Sequence, residues 1–357
     1  VTESPPPPAA VLERYALDPR TVAPIVGGLI NRSFAVTGRD GGDFVLQRVN
    51  PMFAPEIHDD IDAVTRHLKS KGLTTPLLVA TLDGKRLVET DGALWRLLTR
   101  VPGRTREALT TAPEAREAGR VLGEFHRALA DFAEPLRNRR PPVHVLERHL
   151  ANLERALEQH AGHRAHGAVA GIAGRIRALA SALPPLGELP SRLLHGDPKI
   201  SNIVFRDADA GKARASGNPQ PVAVCLVDFD TLTRMAAPLE IGDALRSWCN
   251  TSAEDSPEAR FSVERFGAAI DGYRLGAGAL LTAAEWRAVP TATLSIAIEL
   301  AARFAADALN ESYFAWDVRR YPSAGEHNQA RAEAQLRLAA SISAALPELR
   351  QGVMTET

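Results

Sequence analysis

Two stretches concentrate the residues able to do chemistry. The first reads Leu194-His195-Gly196-Asp197-Pro198-Lys199-Ile200-Ser201-Asn202-Ile203. The second, Leu226-Val227-Asp228-Phe229-Asp230, brings its first acid 26 residues after Asn202. An apolar run before His195 reads as a strand that delivers Asp197 into a loop, and Asn202 falls where that loop closes into the next strand. A hairpin then returns Asp228, at the end of another apolar strand, alongside Asn202. One carboxylate, Asp197, is left free for a proton or a hydroxyl. The Asn202 amide oxygen and the Asp228 carboxylate are placed to share a hard cation. Mg2+ suits so few protein donors, because phosphate and water oxygens complete its octahedron. Lys199 adds a cation suited to a phosphate in transfer.

The elements around this set divide into two parts. Phe34–Thr37 and Phe44–Gln47 flank a Gly/Asp-rich turn and predict a hairpin. Pro55 opens a helix to about Lys71, and strands follow near 77–80, 86–89 and 94–99. Pro102-Gly103 breaks the pattern. Beyond it the chain is mostly helical, near 113–129, 143–160, 168–183, 239–249, 258–273, 283–309 and 326–345, with short strands near 192–195, 203–205 and 222–228. The expected architecture is α+β and bilobal: residues 1–101 form a small antiparallel-sheet lobe with one helix, and 102–357 a large helical lobe. Ser4–Pro8 reads as an extended lead-in. Lys and Arg total 42, Asp and Glu 43, for a net charge of −1, which argues against a chain built to grip nucleic acid. Cys225 and Cys249 are too few for a disulfide framework and suit a reducing compartment. No apolar run reaches the roughly 18 residues of a membrane span, and no secretory leader is visible, so a cytoplasmic location is expected. His160, His163 and His166 lack a Cys or carboxylate partner and are expected on a polar surface helix. No Gly-rich motif of the Walker, Rossmann or nucleophile-elbow type is present.

The spacing from His195-Gly196-Asp197 through Asn202 to Asp228 resembles the signature of the aminoglycoside phosphotransferase/choline kinase superfamily, which has a protein-kinase-like fold. The likeness runs from about Gly27 to Leu338. Within that superfamily the chain is most similar to the N-acetylhexosamine 1-kinases. The stretches that carry this are Gly28–Phe34, Phe44–Asn50, Val227–Thr231 with Gly242–Arg246, and Tyr313-Phe314 with His327-Asn328 and Arg331-Ala332.

The resemblance implies that Asp197 accepts or orients the proton of the acceptor hydroxyl, Lys199 approaches the γ-phosphate, and Asn202 and Asp228 hold Mg2+. It implies that His195 braces the loop, that Asp230 either caps the strand end or supports the site or substrate, and that Asp243 hydrogen-bonds the catalytic loop. Gly28, Asn31 and Ser33 would fold over the phosphates of ATP, and Thr99 and Val101 would meet adenine. Gln47 and Arg48 stand where this fold usually carries a strand lysine, and register decides which of them faces the phosphates. Glu56 or Asp60 would pair with that cation unless they lie on a solvated helix face. Arg303, set among apolar helix residues, needs a partner or a ligand. Together with Tyr313, Arg32 and Asp230 it is expected to meet the acceptor. Leu29 and Arg32 replace the His and Asp typical of the hexosamine kinases, which points to a different sugar or to a substrate with an anionic group.

The expected function is transfer of the γ-phosphate of ATP to a sugar hydroxyl, the anomeric one of an N-acetylhexosamine or related hexose. One alternative is a kinase for an aminoglycoside, choline or another amino alcohol. Such a cationic substrate wants an acidic patch, and Glu299, Asp307 and Glu311, with Arg303 among them, show no clear acidic excess. Another is a pseudokinase that binds nucleotide or sugar, against which the intact Asp197, Asn202 and Asp228 count. The expected partners are ATP and a small acceptor, without nucleic acid or membrane, in a monomer or homodimer.

Overall fold

The computed structural model describes residues 6–25, 30–138, 142–207 and 221–354. A short helix α1 (Ala9–Arg14) precedes β1 (Ala23–Pro24), β2 (Arg32–Thr37), β3 (Asp43–Val49), helix α2 (Ile57–Ser70), β4 (Leu78–Val79), β5 (Val88–Thr90) and β6 (Ala93–Thr99). These strands form one antiparallel sheet in the order β1-β2-β3-β6-β4, with β5 also paired to β6. Its two faces differ. Phe34, Val36, Leu46, Trp95 and Leu97 pack with Val11, Leu12, Tyr15 and Leu17 into a separate outer core. The other face, with Val49, joins α2 to the main core of the molecule. Pro8 is extended at φ −58°, ψ 141°, and α1 begins directly after it, packing Val11 and Leu12 against this sheet; Ser4 and Pro5 of the expected lead-in lie outside the described residues.

The large lobe begins with α3 (Ala112–Ala128), started by a reciprocal Thr111–Glu114 capping box. Helices α4 (Leu146–Gln159) and α5 (His166–Ser181) follow, and the three histidines lie at and between their ends rather than along a helix. Four short strands come next: β7 (Ser191–Leu194), β8 (Ile203–Arg206), β9 (Val222–Leu226) and β10 (Thr233–Ala236). They pair antiparallel as β7–β10 and β8–β9. Helices α6 (Ala237–Trp248), α7 (Val263–Ala277), α8 (Ala283–Asn310) and α9 (Ala324–Met354) complete the lobe. Helices α3 and α7 cross so closely that a Cβ on Gly272 would stand 1.8 Å from the Arg116 carbonyl oxygen. The linker docks on the catalytic strands, because Arg104 and Phe205 exchange both backbone hydrogen bonds at 2.9 Å. Cys225 and Cys249 are free and buried, and burial pushes the Cys225 thiol up to about 12. Among the described residues no helix is long and apolar enough to cross a membrane.

Candidate active site

Strand β7 delivers His195, Gly196 and Asp197 into a loop braced from below. Gly196 adopts φ +86°, and a Cβ there would lie 2.0 Å from the Thr231 carbonyl oxygen, so only glycine fits. Glu240, fully buried on α6, accepts the backbone N–H groups of His195 and Gly196. His126 of α3 backs this carboxylate through Nε2 at 2.5 Å and reaches the Tyr273 hydroxyl through Nδ1 at 2.7 Å. Burial alone would raise Glu240, but His126, His195 and the Gly196 N–H together outweigh it and its pKa falls below the usual value. The Thr231 hydroxyl donates to the His195 carbonyl at 3.0 Å, and the Trp248 indole N–H to the Pro198 carbonyl at 2.9 Å. His195 is completely buried, and burial keeps its pKa below the ordinary value. Its Nδ1 faces the Asp197 N–H and its Nε2 the Val227 carbonyl, 2.9 Å away, so it is a brace between the two functional segments. Asp243, expected to hold the loop, instead binds Arg246 one turn further on at 3.0 Å. Glu240, three residues earlier on the same helix, is the residue that turns inward.

The loop brings Asp197, Lys199 and Asn202 together. Lys199 Nζ contacts Asp197 Oδ2 at 2.5 Å. Asn202 Nδ2 donates to the Asp197 carbonyl at 2.8 Å and to its carboxylate at 3.2 Å. Burial works against the Lys199 charge, but Asp197, Asp228 and Asp243 outweigh it and raise its pKa. The Val227 N–H binds the Asn202 carbonyl at 2.9 Å, which sets Asp228 beside Asn202. Asp228 occupies a left-handed conformation with φ +71°, ψ +59°, one that Asp tolerates better than most residues. Burial and the adjacent Asp230 carboxylate push its pKa up to about 7. With the Asn202 amide donating toward Asp197, the amide oxygen and the Asp228 carboxylate are the two groups here that could hold a hard divalent cation. Among the described residues no cluster of three or more His, Cys, Asp or Glu side chains is arranged to hold a metal.

The small lobe meets this turn with a residue outside the expected set. Arg96 on β6 is 1% exposed, and its two terminal nitrogens grip both oxygens of Asp230 at 2.6 Å. Asn31 Nδ2 donates to the same carboxylate at 2.6 Å, while its oxygen accepts the Asn50 N–H. Asp230 therefore faces the small lobe rather than an acceptor, and Asn31 holds Asp230 rather than reaching a nucleotide. Gln47, Ser33 and Arg96 are cross-strand neighbours on this face. The Gln47 oxygen accepts Arg96 Nε at 2.8 Å, and its nitrogen donates to Ser33 Oγ at 2.9 Å. Arg48 and Arg32 pair on the opposite face, in register with Trp95 of the outer core. Neither shares a surface with Asp197, so neither can supply the phosphate cation or meet an acceptor there. Glu56 is exposed, and Asp60 accepts the N–H groups of Arg137 and Asn138. The Thr99 amide and hydroxyl are both occupied by Leu77. Val101 is half-buried at the start of the linker, and Gly28 lies outside the described residues. A lone arginine inside Leu94-Trp95-Arg96-Leu97-Leu98 was the available signal for the buried ion pair.

Near the C-terminal end of α8, Arg303 lies over the Phe314 and Tyr313 rings, with centroids at 5.5 and 6.0 Å. Among the described residues its guanidinium has no hydrogen-bonding or ion-pair partner. Asp243 lies within electrostatic reach of both Lys199 and Arg303, linking this end to the catalytic loop. The acids of the helical lobe are already engaged. Glu299 contacts His144 at 3.1 Å. Asp307 accepts the backbone N–H groups of Ser312, Tyr313 and Phe314 and so shapes the aromatic turn. Glu311 accepts the Gly325 N–H. Tyr313 itself is 62% exposed.

A two-lobed α+β fold carrying this loop and this acidic turn defines a phosphotransferase of the protein-kinase-like type. The chain matches the APH phosphotransferase enzyme family over residues 21–275, and it belongs to that family. It is 25% identical over 332 residues to a homoserine kinase of Granulibacter bethesdensis, covering 88% of this chain and 90% of that one. Its fold is shared with an aminoglycoside phosphotransferase from Alicyclobacillus acidocaldarius, at a TM-score of 0.62, 17% identity, and 99% and 98% coverage. It is shared too with an amicoumacin kinase solved in complex with AMP-PNP, Ca2+ and Ami, at a TM-score of 0.56, 16% identity, and 96% and 91% coverage.

Proposed function

We propose that the protein is an ATP-dependent sugar kinase in which Asp197 takes the proton of the acceptor hydroxyl while Lys199 steadies the transferring phosphate. Asn202 and Asp228 would hold Mg2+, which when bound neutralises the phosphate oxygens. The chain's own contribution is position. Glu240 fixes the loop, and the Asn202 amide holds Asp197 so that its carboxylate points toward an incoming hydroxyl. The intact loop, amide and acid argue against a pseudokinase.

The observation that carries the acceptor reading is the free guanidinium of Arg303. A cation that offers donors to a ligand, on a wall whose carboxylates are already engaged, suits an oxygen-rich acceptor and disfavours a cationic amino alcohol or aminoglycoside. The anomeric hydroxyl of an N-acetylhexosamine or related hexose is the acceptor that the local sequence likeness favours. A second reading is a hydroxy amino acid such as homoserine. The likeness to a homoserine kinase supports it, and a guanidinium suits a carboxylate even better than a hydroxyl.

The test is ADP release over hexoses, N-acetylhexosamines, homoserine, choline and aminoglycosides, repeated with Arg303→Ala. A sugar should give the highest kcat/KM. The variant should raise acceptor KM or lower kcat while ATP parameters hold. Preference for homoserine would select the second reading. An unchanged acceptor KM and kcat in a merely less stable variant would remove Arg303 from the site.

A further inference from the structure

We propose that Arg96 is a positioning residue for phosphoryl transfer, which from the small lobe locks the turn carrying Asp228 and so sets the metal-binding carboxylate. This rests on the kinase reading above. The strand position expected to carry a phosphate-facing cation holds an amide, Gln47. The charge lies on the adjacent strand and points elsewhere. Arg96 and Asp230 are 2% and 1% exposed as side chains, so neither reaches a nucleotide.

The pair is instead a joint between lobes. Both terminal nitrogens meet both carboxylate oxygens at 2.6 Å across 134 residues of sequence, a fork that fixes orientation as well as distance. Asn31 adds a second small-lobe donor at 2.6 Å. Gln47 and Ser33 hold the Arg96 Nε side, so the guanidinium cannot swing.

The anchored acid is only one residue removed from Asp228, in the single 3-10 turn Phe229–Thr231. The Asp228 and Asp230 carboxylates also lie close enough to act on each other electrostatically. Any shift of Asp230 therefore moves Asp228. The same turn gives the Thr231 hydroxyl to the His195 carbonyl, so the joint reaches the catalytic loop as well. Phe229 secures the turn from the other side, stacked on Phe125 with centroids 5.9 Å apart. The buried fork thus latches the two lobes together at the turn that carries Asp228.

The experiment measures binding of Mn2+ with AMP-PNP by calorimetry, beside steady-state kinetics and melting curves, on the full chain. Arg96→Met alone would strand a buried carboxylate and risks unfolding, so Arg96→Met/Asp230→Asn is used to remove both charges. Arg96→Lys keeps the charge and loses the fork. The double variant should melt near wild type yet bind Mn2+ and AMP-PNP at least tenfold more weakly, with reduced kcat and an unchanged acceptor KM. Arg96→Lys should fall between the two. A folded double variant with wild-type binding and kcat would overturn the proposal. If the double variant does not fold, Arg96→Lys decides alone, and wild-type affinity in it would overturn the proposal equally. Wild-type protein that binds no Mn2+ with AMP-PNP and releases no ADP would instead sink the kinase reading, and the positioning role with it.

Discussion

Asp197 shows how little chemistry one residue must do when its surroundings are fixed. Its carboxylate is held by Lys199 at 2.5 Å and by the Asn202 amide at 3.2 Å. One partner is a cation suited to follow a phosphate, and the other a rigid donor from a 3-10 turn. Asp197→Asn preserves shape and removes the proton acceptor. Turnover should fall by roughly 10²–10⁴-fold, the usual contribution of a positioned base, while the KM for ATP stays close to wild type. Initial-rate kinetics at saturating acceptor check this, and near-normal turnover would end the assignment. The meeting of Asp197, Lys199, Asn202 and Asp228 was legible in the sequence because it depends on local spacing: one loop and one hairpin bring them together. Arg96 and Asp230 were not, because their meeting depends on how two lobes dock. The sequence shows only an arginine in an apolar strand and an acid after Phe229, and nothing in either stretch names the other.

Elements explain the remaining gaps. The hairpin of β2 and β3, the pairing of β8 with β9 and the long helices follow from hydrophobic period and turn chemistry. Strand β10 was missed because Thr233–Ala236 is short and mixed, and it becomes a strand by pairing with β7. Helix α1 was missed because prolines hid a segment whose Val11 and Leu12 cover the sheet. The choice between Glu240 and Asp243 could not be made from sequence, since residues three apart on a helix share a face and only packing shows which one reaches the loop. The loop's dependence on its floor gives an element-scale prediction. Gly196→Ala places a Cβ 2.0 Å from the Thr231 carbonyl oxygen, on a backbone with φ +86°. The left-handed backbone alone costs about 1–3 kcal/mol in a constrained site, and the turn bearing Asp228 must move as well. The melting temperature should drop, and kcat should fall further than stability accounts for. Kinetics measured well below the transition separate the two, and a variant that is only less stable would show that the loop tolerates the shift.

Across the whole molecule, one apolar core runs from α2 through the catalytic strands to α9, and buried charges are set into it where the lobes meet. That construction makes stability depend on pH with a definite sign. Burial, reinforced by the Arg96 charge, holds His58 below the ordinary value of 6.5, and burial does the same to His195. Each is neutral when folded and gains a proton more readily when unfolded. The stability tied to them is present above about 6.5 and is lost as pH falls toward the folded values. His144 runs the other way. Burial lowers it, but the Glu299 hydrogen bond and Asp243 outweigh burial and raise its pKa. Its contribution is complete below about 6.5 and fades as pH rises through the folded value. Four depressed histidines, His149 and His327 included, against one raised should pull the melting temperature down between pH 7 and pH 5, opposed by Asp228, whose pKa, raised to about 7, adds stability as pH falls. His58→Asn offers a side chain of similar polarity to the Pro55 carbonyl and removes the proton site, so the fall should become shallower. His144→Asn removes the opposing group, so the fall should become steeper. Calorimetric melts of the three chains at pH 7, 6 and 5 test both signs at once. Parallel curves would mean that these histidines titrate as they do in the unfolded chain, and that the joint between the lobes opens to water far more freely than its 1% exposed Arg96 implies.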